Sequence, residues 1–376
     1  QYQSIALVLQ GGGALGSYQA GVFEALHEAG ITPSWVSGVS IGAINAAIIC
    51  GNTYENQVVR LREFWEAITD HGYASHLSGA DSLRALHNLT SAWLTMSSGI
   101  PGFFAPRSVN PWLQIPGHFG STSFYDTQNL RDTLEYLVDW DLLNNQTHRI
   151  SVGAVNVQTG NFRFFDSSIE RITPEHVMAS GALPPAFPAV EIDGQFYWDG
   201  GIVSNTPLQY LLENQKLMDT LVFQVDLFNA RGKLPQSMPE VLARHKDIMY
   251  SSRTRNATDR FKIIHNLEIE LSHALKRIPK EQLTAQDRQL LETLDEKSQI
   301  NVLHLIYHHK EYEGDSKDYE FSKLTMREHW DAGLEDTRKT LRHRDWLKRP
   351  HAKIGMTVHD VHQDLEHQVR PKRIAK

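Results

Sequence analysis

Short apolar runs that stop at glycine alternate with amphipathic stretches along the first part of the chain. Residues 5–9 are apolar and end at three glycines, as in a strand that is buried on both faces. Apolar positions at helical spacing follow over 17–29, then a second strand over 35–39 and an almost wholly apolar helix over 41–49. This strand–helix–strand–helix order predicts an α/β protein with a mostly parallel sheet.

The pattern changes after a polar helix at 52–70. Residues 71–125 are rich in Gly, Pro, Ser and aromatic residues, which is typical of a long loop. Two interpretations are open: a lid or access insertion over a site, or a surface excursion packed by its own aromatic side chains. Regular structure then returns, with helices expected near 127–138 and 174–180 and strands near 149–157, 161–166, 195–198 and 220–227.

The last third of the chain is more highly charged. The pattern is helical from about 235 to 297, and a buried strand at 300–307 is expected to rejoin the main sheet. Residues 213–345 are therefore interpreted as an extension of a core at 4–212 rather than as a separate domain. Residues 346–376 are interpreted as a basic tail.

Composition narrows the class of protein. Of the 376 residues, 41% are hydrophobic and 22% are charged, which is typical of a globular chain. The 37 basic and 44 acidic residues give a net charge of -7, so no nucleic-acid partner is expected. A single cysteine, Cys50, excludes an intrachain disulfide. There is no apolar run of 18 residues, so we expect no transmembrane helix.

These features favour a cytoplasmic protein or one at a membrane surface, where the basic tail would meet anionic lipid headgroups. A flexible, solvated end is the alternative interpretation of this tail. The chain starts at Gln1 rather than Met, which favours a processed or shortened chain and leaves a cleaved signal peptide open. The sequence indicates no particular oligomeric state.

A glycine loop joins the first strand to the first helix. Gly11, Gly13 and Gly16 match the dinucleotide-binding fingerprint, but the acidic residue expected about 20 positions later is missing. The alternative function is an oxyanion hole, in which backbone N–H groups of Gly11, Gly12 and Gly13 stabilise a negative oxygen. A tight turn without a ligand would use the same glycines.

A second glycine-framed turn carries a serine. Gly38, Ser40 and Gly42 form a G-x-S-x-G pattern between a strand and a buried helix, the context expected of a nucleophile elbow. The two glycines would remove side chains that collide across the sharp turn. Ser40 could instead serve only as a helix cap, but the glycine loop 24 residues earlier favours a nucleophile.

A serine nucleophile needs a base. Among the chain's 19 histidines none has a distinctive strand-end setting, whereas Asp199 ends an apolar strand and is followed by Gly200 and Gly201. Asp-Gly is also a common turn pair, so the pattern alone leaves an ordinary turn aspartate open.

These three motifs together resemble patatin-like phospholipases. That family has a G-G-G-x-x-G loop, a G-x-S-x-G elbow and a catalytic aspartate in D-G-G, which occur here in the same order at 11–16, 38–42 and 199–201. The segments 179–188 and 205–208 are also similar. The resemblance covers residues 4–212, and the remainder is similar to the C-terminal extension of a bacterial subgroup.

The resemblance implies a serine lipid acyl hydrolase on a three-layer α/β/α fold. Ser40 would be the nucleophile and Asp199 its base, the glycine loop would hold the oxyanion, and Gly16, Gly38, Gly42, Gly200 and Gly201 would shape the turns. The substrate would be a phospholipid or related lipid ester, with no metal and no cofactor. Ile41 stands where the family more often has a small residue, which implies a narrower site or a differently aimed Ile41 amide. A catalytically silent lipid- or protein-binding module on the same fold is the alternative.

Overall fold

The computed structural model describes residues 2–69, 81–118, 120–145, 147–215, 218–279, 281–295, 298–310, 313–314, 316–351 and 354–360, with the backbone alone at 81–86, 89, 252–257 and 295. The strands are β1 (Ser4–Leu9), β2 (Trp35–Val39), β3 (Ala105–Pro106), β4 (Tyr125–Asp126), β5 (Arg149–Asn156), β6 (Phe162–Asp166), β7 (Val190–Ile192), β8 (Gln195–Asp199), β9 (Thr220–Asp226), β10 (Ile300–Ile306) and β11 (Met356–Asp360).

The helices are α1 (Gly16–Glu28), α2 (Ile41–Cys50), α3 (Tyr54–Thr69), α4 (Asp81–Ser98), α5 (Gln128–Leu137), α6 (Trp140–Leu143), α7 (Pro174–Ser180), α8 (Leu208–Asn214), α9 (Met238–Leu275), α10 (Ala285–Asp295) and α11 (Lys323–Arg342). None of those in the described part of the chain is long and apolar enough to cross a membrane.

Nine strands of the described chain form one central sheet, in the order β11-β10-β9-β1-β2-β5-β8-β7, with β6 also paired to β5. The strands from β11 to β5 are all parallel, so the predicted mostly parallel sheet is confirmed. The strands β6 and β8 both run antiparallel to β5. Strand β8 pairs with only the last three residues of β5, and its final residue, Asp199, lies beside Ala154, so Asp199 stays close to the carboxyl edge of the parallel strands.

The central strands are buried on both faces, and this produces the three layers. Leu7 and Leu9 of β1 point into a core shared with α1, α2, α3 and α11. Ala6 and Val8 point the other way, into a second core that contains Leu208 of α8. The alternation of side chains along a strand therefore explains why an unbroken apolar run is required here.

Helices α1 and α11 pack with their backbones in close contact. A Cβ atom at Gly21 would lie 1.9 Å from the carbonyl oxygen of Trp330, and one at Gly333 would lie 2.1 Å from that of Tyr18. Only glycine at both positions permits the two helix backbones to come this close. The C-terminal part of the chain is therefore packed tightly onto the first helix of the core.

Two expectations need revision. The segment 71–125, expected as a long loop, contains the 18-residue helix α4 and the short β3–β4 pair, while 71–80 lies outside the described residues. The segment 346–376, expected as a basic tail, contains β11, which pairs with β10. Residues 361–376 lie outside the described residues. The sequence did not predict β11 because only two of its five residues, Met356 and Val358, are apolar.

Candidate active site

Ser40 occupies the sharp turn between β2 and α2. Its backbone has φ 56° and ψ -125°, a conformation that non-glycine residues rarely adopt. A Cβ atom at Gly38 would lie 2.3 Å from the carbonyl oxygen of Gly42, and one at Gly42 would lie 2.4 Å from that of Leu9. Both glycines are therefore required by close backbone approach, as the sequence predicted for an elbow.

Ser180, at the end of α7, fixes the elbow from the side. Its buried hydroxyl accepts the backbone N–H of Ser40 at 2.9 Å and donates to the carbonyl oxygen of Gly153 at 2.6 Å. Gly153 lies beside Val39 in the sheet register. The sequence analysis assigned Ser180 no role, because only the fold brings it next to a residue 140 positions away.

Asp199 lies beside Ser40 and is almost completely buried, with 3% of its surface exposed. Its carboxylate accepts a hydrogen bond from the Gly201 N–H at 2.7 Å, and the Ser40 side chain is close enough to act on its pKa. Burial raises the pKa of Asp199 from 3.8 to about 6, while the Ser40 hydroxyl and the Gly201 N–H act in the opposite direction. No histidine of the described chain is among the groups that act on this pKa.

The two glycines after Asp199 let its loop pass close to the sheet. A Cβ atom at Gly200 would lie 2.6 Å from the carbonyl oxygen of Gly153. One at Gly201 would lie 2.9 Å from Oδ1 of Asn205. The structure therefore brings the predicted aspartate and serine turns together at one edge of the sheet.

The glycine loop is clamped by Asn205. The Gly11 N–H donates to the Asn205 carbonyl at 3.2 Å, and the Asn205 side-chain amide donates to the Gly11 carbonyl at 3.0 Å. Gly11 was predicted to donate its amide to an oxyanion, and this needs revision because that amide is already paired. The amides of Gly12 and Gly13 have no acceptor among the described residues.

Gly11 has a steric role instead. A Cβ atom there would lie 2.4 Å from Oδ1 of Asn205 and 3.0 Å from the Cβ of Ser40. Gly16 has a similar role one turn later, since its missing side chain leaves room for Ile41, whose Cγ1 would lie 2.5 Å from a Cβ there. Ile41 is 2% exposed. Its side chain fills the interior, so it does not narrow the site as its departure from the family pattern implied.

Gln10 anchors the start of the glycine loop from within the core. Its fully buried side chain accepts the backbone N–H groups of Leu227, at 2.5 Å, and Phe228, at 3.0 Å, and donates to the Thr206 hydroxyl at 3.0 Å. Sequence analysis overlooked Gln10, since a single glutamine before a glycine run carries no local signal.

A solvent-open cavity of about 240 Å³ lies against Gly201 and Asn205. Its apolar wall is formed by Leu183 and Ile202 from the core and by Met249 and Tyr250 from α9. Burial raises the pKa of Tyr250, and the nearby charges of Asp318 and Asp199 act in the same direction.

Comparison with known proteins identifies the family. The model of patatin-like phospholipases matches residues 7–212, more than half of the chain and every site residue predicted above. A second model, described as patatin phospholipase, matches residues 248–353. The chain belongs to the patatin-like phospholipase family.

Individual relatives share the same segment. The neuropathy target esterase sws of Drosophila sechellia is 27% identical over 204 residues, which are 54% of this chain and 11% of that protein. The Drosophila melanogaster protein is also 27% identical over 204 residues, or 12% of its length. The chain thus spans only a small part of these relatives. VipD from Legionella pneumophila gives a TM-score of 0.41 at 15% identity, covering 90% of this chain and 67% of VipD.

Replacing Ser180 by alanine tests its role in holding the elbow. The variant would leave the buried N–H of Ser40 without an acceptor, so we expect a loss of about 1–3 kcal/mol in the free energy of unfolding. Urea denaturation measures this change. The exposed helix residue Ser97 provides a matched control, for which Ser97→Ala should change stability by less than about 0.5 kcal/mol. A Ser180→Ala protein as stable as the parent would contradict this role.

Proposed function

We propose that the protein is a serine hydrolase that cleaves carboxylic esters of phospholipids or related lipids through a Ser40–Asp199 dyad. The observation that carries this proposal is the buried carboxylate of Asp199 beside a serine on a strained strand-to-helix turn. A base with a pKa of about 6 is ionised at neutral pH and still has appreciable proton affinity. Membership of the family supports the lipid substrate.

In the first step, the Ser40 hydroxyl oxygen attacks the ester carbonyl carbon while its proton passes to Asp199. The negative charge that develops on the carbonyl oxygen would be stabilised by the free amides of Gly12 and Gly13. The amide of Ile41, at the first position of α2, is a further donor of the kind that elbows use. The C–O bond to the leaving alcohol then breaks, and the alcohol takes the proton from Asp199.

In the second step, water attacks the resulting acyl-enzyme. Asp199 accepts a proton from this water, and the oxyanion forms again in the same position. When the bond between the acyl group and Ser40 breaks, the serine oxygen recovers its proton from Asp199. A fatty acid is released and the enzyme returns to its starting state.

The dyad is tested by substituting each member. Ser40→Ala removes the nucleophile and Asp199→Asn removes the base, so each should lower kcat for a short-chain chromogenic ester on the order of 10⁴-fold. The matched controls are Ser97→Ala and Asp345→Asn, both at exposed positions, and these should retain full activity. Absence of turnover by the parent protein would favour a silent binding module. Retained activity in Asp199→Asn would exclude the aspartate as base.

The pKa of Asp199 predicts the pH dependence. The base must be ionised, and its pKa is about 6, so kcat/KM should fall below pH 6 and reach a plateau above it. An uncharged ester substrate keeps the substrate's own ionisation out of the profile. Repeating the profile at several temperatures identifies the group, because a carboxyl pKa hardly changes with temperature whereas an imidazole pKa falls on heating. A clear temperature shift, or a midpoint near pH 4, would contradict the assignment.

We also propose that the loop at 108–117 contacts the lipid surface that holds the substrate. This loop contains no charged residue and no histidine. Its side chains Trp112, Leu113 and Ile115 are 85%, 81% and 80% exposed. Apolar groups of this kind, with a tryptophan among them, favour the interfacial region of a bilayer.

The position of this loop supports the proposal. It leads to β4, where the N–H groups of Phe124 and Tyr125 donate to the carbonyl oxygens of Pro185 and Ala186 at 3.1 Å and 2.9 Å. The same segment contributes Leu183 to the cavity wall. A bilayer in contact with the loop would therefore lie near the entrance to the site.

Replacement of Trp112 by alanine tests the membrane contact. Removing an inserted indole should weaken binding to phosphatidylcholine vesicles on the order of tenfold. Hydrolysis of a soluble short-chain ester should be unchanged. Ile169, which is 76% exposed beyond the end of β6, provides the control Ile169→Ala. Equal vesicle binding by the two variants in a flotation assay would contradict the contact.

A further inference from the structure

The glycine loop is held at both ends by residues that lie outside the matched core segment 7–212. At its far end, the Ala14 N–H donates to the Asp318 carbonyl oxygen at 2.8 Å. At its near end, the Gln10 side chain donates to the carbonyl oxygen of Tyr250 at 3.2 Å. The two unpaired amides, those of Gly12 and Gly13, lie between these two contacts.

The contact with Asp318 is close enough to dictate the residue type in the loop. A Cβ atom at Gly13 would lie 2.0 Å from the Asp318 carbonyl oxygen, and Gly13 has a φ of 55°. The segment around Asp318 therefore rests directly on the backbone of the loop, with no side chain between them.

Two ion pairs fasten this segment to α9. Nζ of Lys317 lies 2.5 Å from Oδ1 of Asp247, and their side chains are only 1% and 2% exposed. Nζ of Lys246 lies 2.7 Å from Oδ1 of Asp318 and also lies over the ring of Tyr319. Charges that are buried as deeply as Lys317 and Asp247 persist only as a pair, since an unpaired member would be strongly destabilising.

Helix α9 supports both contacts to the glycine loop, one through the Asp318 segment and one directly. Residues 246 and 247 of α9 hold the Asp318 segment, and residue 250, one turn further on, presents its carbonyl to Gln10. The position of α9 therefore sets the position of both ends of the loop. A displacement of about 1 Å in catalytic groups can lower a rate about 100-fold.

We propose that Asp318 and Tyr250 are positioning residues that hold the amides of Gly12 and Gly13 in place through their backbone carbonyls, with the Lys246–Asp318 and Lys317–Asp247 pairs as fasteners. The catalytic role of the loop rests on the function proposed above. The C-terminal extension is then a working part of the active site, although it contributes no group to the bond-making steps.

Substitution of Lys246 tests this inference in the full chain. Lys246→Met removes the bond to Asp318 without altering the dyad, so kcat for the chromogenic ester should fall about tenfold while KM stays nearly constant. Lys246→Arg keeps the charge and should restore most of kcat. Lys339→Met removes an exposed lysine that pairs with Glu335 on α11, and it should behave like the parent. A larger fall in kcat is expected for Lys317→Met. If the Lys317→Met protein does not fold, Lys246→Met alone carries the test.

Hydrogen exchange provides a readout that needs no turnover. Amides in a peptide covering residues 10–16 should exchange faster in Lys246→Met than in the parent, because the Ala14 N–H loses a firmly held acceptor. Folded Lys246→Met protein with parental kcat and parental exchange would overturn the inference while leaving the hydrolase function intact. If the parent shows no turnover, the proposed function is wrong, and parental exchange rates in Lys246→Met would still overturn the positioning role.

Discussion

The backbone of Ser40, held at φ 56° and ψ -125°, is the constraint on which the surrounding structure depends. Such a conformation costs about 1–3 kcal/mol and persists only where neighbouring groups determine it. Here Gly38 and Gly42 allow the chain to cross itself, and the Ser180 hydroxyl ties the Ser40 N–H to Gly153 of the adjacent strand. The strain is therefore balanced by sheet and helix packing on both sides of the turn.

Sequence reasoning recovered those parts of the site that have a local physical signature. The elbow at Ser40 could be predicted because a strand, two glycines and an apolar helix are contiguous in the chain. The clamp between Gly11 and Asn205 could not, since these residues are 194 positions apart. For that reason the amide of Gly11 was predicted to be an oxyanion donor when it is already paired. Asp199 was found chiefly through the family resemblance, because its turn has no local mark of burial.

The fold, like the site, could be predicted only where a feature has a local signature in the sequence. The unbroken apolar run of β1 indicated a strand buried on both faces, the alternation of strands and helices indicated a parallel sheet, and the sheet is mostly parallel. The direction and register of β8 left no trace in its pattern, although the pairing of Asp199 with Ala154 is what brings Asp199 level with the elbow. Strand β11 was not predicted from the sequence. In the described chain it lies at an edge of the sheet, and an edge strand tolerates polar residues such as His359.

Burial is what links the fold to the proposed chemistry. In water a carboxylate with a pKa near 4 is a weak base, and it would gain little from contact with a serine hydroxyl. At 3% exposure Asp199 is desolvated, and its pKa rises to about 6 even though the Ser40 hydroxyl and the Gly201 N–H favour the charged form. The base strength of Asp199 is therefore set by how well the chain excludes water above β8. A serine–aspartate pair thus needs close packing around the aspartate to be useful at neutral pH, a requirement that an isolated D-G-G motif cannot meet.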